Sequence, residues 1–109
     1  ACEHSTNGTS FYSTVIPELD AGKLLSGVNT VSSPSVVSFL NEHNVKFDEN
    51  LIWMMDCDYY VRMATEFGGP IVLESVNVVN RIWSNQYNNM IPAETKEKET
   101  EYIKNKFNN

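Results

Sequence analysis

Apolar residues are distributed along this chain in three ways. Over residues 51–67 they recur at helical spacing, over 71–83 they run almost without interruption, and elsewhere they stand singly among polar neighbours. The first of these segments has no Gly or Pro before Gly68, room for a helix of about three or four turns. At ~100° per residue, Met54, Cys57, Val61 and Ala64 share one arc, and Tyr59, Tyr60, Met63 and Phe67 a second. Asp58, Arg62, Thr65 and Glu66 occupy the third arc, the expected water-facing side. Asp56 does not join them: it falls inside the second arc, among aromatic and apolar side chains.

Gly68-Gly69-Pro70 stops this helix, and the β-branched run 71–83 then predicts a strand bent at Asn77 or Asn80. Pro34 cannot donate to a ladder, so a second strand is predicted over 35–39. Asp20 as cap and Gly27 as stop bracket a short helix over 21–26. Residues 41–44 read as a turn or the end of a short helix. Pro92 opens a last helix over 92–107, rich in Glu and Lys, with Tyr102, Ile103 and Phe107 as its apolar contacts and most of its surface in water. Residues 1–20 are polar and turn-rich: a loop with one short extended piece, its first ten residues frayed. The fold class is α/β, or α+β as an isolated piece, with a small mixed sheet and two or three helices in one domain over 1–109.

Composition narrows the function classes. A hydrophobic content of 41% with 11% aromatics is globular, and no apolar run nears the ~20 residues of a membrane span. A net charge of −6 argues against nucleic acid and against anionic lipid as partners. Two cysteines, Cys2 and Cys57, far apart in sequence, fit reduced thiols in a cytoplasmic setting. Cys57 sits at a core position, which does not suit a nucleophile. The chain begins Ala-Cys-Glu-His, as a processed product or excised piece would. His4 and His43 have no metal-binding partners at helical spacing, so no metal site is expected, and no Gly-rich phosphate loop occurs.

Asp56 is the residue with chemistry to explain. A carboxylate among apolar side chains is costly unless it is used. It reads either as a helix cap or as a general base in a cleft. Asp58 and Arg62, four residues apart, read as a surface ion pair contributing about 0.3–0.5 kcal/mol. Trp53 and Trp83 suit stacking on a sugar ring, or core packing. Arg81, at the end of an apolar run, suits a phosphate or carboxylate, or water.

Three segments in this order carry a family likeness: Ser33-Pro34-Ser35-Val36-Val37, then Val45-Lys46-Phe47-Asp48-Glu49-Asn50-Leu51, then Met55-Asp56-Cys57-Asp58-Tyr59-Tyr60-Val61-Arg62-Met63. Their order and spacing resemble the second half of family 2 glycosyltransferases of the GT-A fold, over residues 20–90. Two positions depart from the family pattern: Met55 stands where it usually has Glu, and Arg81-Ile82-Trp83 lacks a histidine some members carry. The resemblance implies a partial GT-A-like fold and the acceptor-binding half of an inverting transferase, moving a sugar from a nucleotide-sugar to a hydroxyl. Asp56 would then be the catalytic base, with Trp53, Asp48, Glu49 and Tyr60 at the acceptor and Arg81 at a phosphate.

The family holds its nucleotide and a manganese or magnesium ion with the first half, so this chain is expected to carry no cofactor and to be inactive alone. Glu18-Leu19-Asp20 does not supply the family's acidic metal pair, because Pro17 precedes it and a helix start follows. The expected partners are a saccharide or other hydroxyl acceptor and a second copy of the chain, a homodimer through the uncovered 71–83 edge. The competing class is a non-catalytic interaction or saccharide-binding module.

Overall fold

The computed structural model describes residues 1–7, 10–40, 44–82, 86 and 90–108. Among these residues, three strands and three α-helices make a small mixed α/β fold. Strand β1 (Cys2–Ser5) lies in the middle of the sheet, in the order β2-β1-β3. It pairs antiparallel with β2 (Phe11–Val15), with an irregularity between His4 and Ser5, and parallel with β3 (Val78–Arg81). The helices are α1 (Ala21–Leu25), α2 (Met55–Phe67) and α3 (Ala93–Phe107), and a single 3₁₀ turn occupies Pro34–Val36.

The helices follow their local signals. Asp20 caps α1 by accepting the Lys23 N–H at 3.1 Å, and Gly27, at φ +95°, reverses the chain after it. Gly68, at φ +89°, ends α2. Pro92 precedes the first turn of α3, where its missing N–H costs nothing.

The strands depart from expectation. Residues 2–5 form the sheet's central strand rather than a frayed end, and the N-terminal region holds two strands where one extended piece is expected. Residues 35–39 form no strand; the Pro34–Val36 turn replaces it. Among the described residues of the 71–83 run, Val78–Arg81 alone joins the sheet, opposite Cys2–Ser5. Beyond that point the pairing is reduced to Asn77 N–H on the Ala1 carbonyl and the terminal amine on the Leu73 carbonyl. Ile71 is 92% exposed. The segment instead walls an apolar hollow of about 560 Å³, with Val37, Tyr60, Met63 and Phe67 opposite. Trp83, proposed above for stacking or a dimer contact, and residues 41–43 of the expected turn, His43 among them, lie outside the described residues.

Two clusters form the core. One gathers Leu24, Val31, Cys57, Tyr59, Tyr60 and Val61; the other joins Leu51 and Met54 to Ile103 of α3. Residues 57–61 of α2 are all buried, so the helix is covered on every side there. Its supposed water-facing arc is therefore split: Thr65 and Glu66 are exposed, but Asp58 is 0% exposed.

The Asp58–Arg62 pair is accordingly buried rather than superficial. Arg62 contacts Asp58 Oδ2 through Nε at 2.9 Å and Nη2 at 2.8 Å, and Lys106 Nζ reaches Oδ1 at 2.8 Å in an ionic contact. Lys106 also binds Asp48 at 2.7 Å, tying α3 to α2 and to the turn before it. Glu99 is the second charged residue of α3 to turn inward. Its carboxylate accepts the backbone N–H groups of Ile52, Trp53 (2.8 Å) and Met54 (2.9 Å), the donors that the entry to α2 would otherwise leave unpaired. No helix among the described residues is long and apolar enough to cross a membrane.

Candidate functional site

Asp56 is the second residue of α2, where first-turn N–H groups point out of the helix end and favour negative charge. Both carboxylate oxygens are hydrogen-bonded: the Cys57 N–H lies 2.8 Å from Oδ1, and Asn29 Nδ2 lies 3.0 Å from Oδ2. Half-burial pushes the Asp56 carboxyl above its ordinary pKa, and these donors only partly offset that rise. Its charge is felt by its neighbours. The Cys57 thiol is pushed up to about 12 by burial and then by Asp56, which leaves it un-ionised and unreactive at neutral pH. The Tyr60 phenol is raised for the same two reasons.

Asp56 opens into a cleft of about 620 Å³ that it shares with Trp53, Arg81, Asn29, Ser33 and Asn80. Strand β3 delivers Asn80 and Arg81 to one wall, and the turn before α2 delivers Trp53 to another. Trp53 is seated against Gly27, where an added Cβ would lie 2.9 Å from the indole Cη2, and Lys96 Nζ stands 5.2 Å from the ring centroid. Between the walls Ser32 adopts φ 87°, a left-handed conformation that costs a non-glycine residue of order 1 kcal/mol or more. Its neighbours hold it there: Asn29 Oδ1 accepts its N–H at 2.9 Å, and Asn80 Nδ2 donates to its Oγ at 3.0 Å.

The remaining residues expected at the acceptor lie elsewhere. Tyr60 is buried, its hydroxyl 3.4 Å from the Ser32 carbonyl, and it lines the apolar hollow instead of the cleft. Asp48 is occupied by Lys106, by the Tyr102 hydroxyl at 2.8 Å and by the Asn50 N–H. The Lys106 ammonium beside it holds its carboxyl well below the usual carboxylate range. Glu49 is exposed on the same turn. The structure therefore brings together Asp56, Trp53 and Arg81, and leaves out Asp48, Glu49 and Tyr60.

Asn29 and Ser32 enter the site without having been expected from the sequence. The available signal is local: an Asn followed by two N–H groups that its side chain can accept, ahead of Ser33-Pro34. Among the described residues no group of three or more His, Cys, Asp or Glu side chains is placed to hold a metal ion. A hydrogen-bonded carboxylate with raised basicity, an indole wall and a guanidinium in one cleft suit proton removal from a hydroxyl compound. Comparison of the chain with protein-family models, with characterised proteins and with solved structures finds no match.

Proposed function

We propose that this chain is the acceptor-binding, general-base half of an inverting glycosyltransferase of the family 2, GT-A type. The observation that carries the reading is the setting of Asp56: half-buried at the first turn of α2, both oxygens hydrogen-bonded, open to a cleft beside Trp53. In this reading the acceptor hydroxyl gives its proton to Asp56 as its oxygen bonds to the anomeric carbon of the donor sugar. The bond from that carbon to the nucleoside diphosphate breaks, and the electron pair leaves with the phosphate. An alcohol is a poor nucleophile at neutral pH, so a positioned base of raised pKa lowers the barrier. Trp53 offers an apolar face to the sugar ring and Arg81 a positive charge to a phosphate. The donor nucleotide and its metal would be held by the other half of the enzyme.

A non-catalytic saccharide-binding module would use the same indole wall and neutral amides, and it differs in having no need of the Asp56 charge.

The test is Asp56→Asn in an enzyme reconstituted from this chain and a nucleotide-binding half. Turnover should fall by roughly 10²–10⁴-fold, with donor affinity unchanged. The fold should not suffer. A raised carboxyl pKa means that protonated Asp56 favours the folded state, a contribution present below the unfolded pKa and lost as pH rises through the folded one. At neutral pH the charged form is the costly one, so the Asn variant should be at least as stable as the parent. Near-normal turnover in the Asn variant would refute the catalytic role.

A further inference from the structure

We propose that Asn29 is the positioning residue of the cleft: its carboxamide, locked by its own backbone turn, aims one N–H at Asp56 and fixes the carboxylate's direction. Asn29 carries out two tasks with the two ends of one amide. Its Oδ1 accepts the N–H groups of Val31 at 3.1 Å and Ser32 at 2.9 Å, forming a local turn. Its Nδ2 donates to the Ser32 carbonyl at 3.0 Å and to Asp56 Oδ2 at 3.0 Å. With three bonds to the backbone of residues 31 and 32, the amide plane has no freedom left, and the fourth bond lands on Asp56 from 27 residues away.

The strained φ of Ser32 belongs to the same device. A residue held in the left-handed region persists only where its surroundings over-determine it, and here both its N–H and its carbonyl are taken by Asn29. Asp56 is thereby held from two sides, by its own helix through the Cys57 N–H and by the 29–32 turn through Asn29. The titratable groups around it are His4 from β1 and Arg81 from β3, which line the same cleft, and Cys57 and Tyr60 from its own helix.

That Asp56 acts as a base rests on the function proposed above; the coupling of Asn29 to Asp56 does not, and it is measured without any transferase assay. The experiment is a pH titration of the Asp56 carboxyl carbon by NMR on the full chain, comparing the parent with Asn29→Ser. Serine can still accept the turn N–H groups but is too short to reach Asp56, and it adds no charge. A donor to the charged form is lost, so the Asp56 midpoint should rise by about one pH unit while the other carboxyls keep theirs. An unchanged midpoint in a folded Asn29→Ser chain overturns the proposal. Should that variant unfold, Asn29→Asp keeps the turn's acceptor and replaces the donor by a second carboxylate. The pair should then titrate in two coupled steps, one well above the parent midpoint. Two independent, unshifted carboxyl midpoints overturn it equally. Failure of Asp56→Asn to reduce turnover would remove the catalytic reading and leave this coupling standing.

Discussion

Replacing Asp58 by Asn should be among the most damaging conservative changes in this chain. Asp58 is fully buried and faces two cations, Arg62 and Lys106, each 27% exposed. Removing one member of a buried ion pair costs about 3–5 kcal/mol, because it strands the partner's charge. Here the stranded groups have relief: both reach solvent, and Lys106 retains Asp48 at 2.7 Å. The expected cost is therefore at the lower end, about 3 kcal/mol. With a urea dependence of ~1.5 kcal/mol per molar for a domain of this size, the unfolding midpoint should fall by ~2 M. The thermal midpoint should fall by ~10 °C. The control is Lys98→Ala, which removes an ion pair at the same four-residue spacing with both side chains about three-quarters exposed; it should move stability by less than ~0.5 kcal/mol. If Asp58→Asn shifts the midpoint no more than Lys98→Ala, the buried network does not hold α3 to α2, and the reasoning fails.

Two further outcomes can be checked on the same instrument. Glu99→Ala removes the acceptor of three backbone N–H groups at the entry to α2 and should cost about 2–4 kcal/mol, with Glu99→Gln costing less; a loss below ~1 kcal/mol would refute the capping role. Asp48, held below the usual carboxylate range by Lys106, contributes stability that is present above its unfolded pKa of about 3.9 and lost as pH falls below it. The urea midpoint of the parent should thus drop below about pH 4, and Asp48→Asn should flatten that drop; an unaltered acid limb would exclude the pair as its source.

What the sequence reveals here depends on how far away the deciding partner sits. The ends of α1, the stop at Gly68 and the start of α3 are legible because the residues that set them lie within a turn of the feature. The strands are not. Residues 71–77 have the composition of a strand, but a strand needs a neighbour, and among the described residues no strand pairs with them. Conversely, Glu3, Ser5 and Ser13 look like loop residues and are paired because β1 and β2 lie side by side.

The helical wheel places Phe67 on a buried arc although it is exposed, and places water beside Asp58, where α3 packs instead. That packing brings Lys106 onto Asp58 from 48 positions away, and nothing local announces it. Glu99 is hidden by the same effect: in a helix of alternating Glu and Lys it looks solvated, and only Ile103 beside it, fully buried, marks that face as the inner one. At the cleft, Asp56 stands out from its apolar neighbours on the wheel, whereas Asn29 reaches it through a turn of ordinary polar residues.

The central placement of β1 has a consequence for how the chain acquires its sheet. The antiparallel partner β2 follows after a connection of about five residues, the parallel partner β3 after roughly seventy, and the longer closure costs about 2 kcal/mol more in chain entropy. During synthesis β1 and β2 can pair once both have emerged from the ribosome, while the other edge of β1 waits until Arg81 has emerged as well. For that interval the backbone groups of residues 2–5 are an unclaimed template for any extended segment, including the apolar 71–77 run of a neighbouring chain. The brevity of β1, four residues, limits how much such a mispairing can gain.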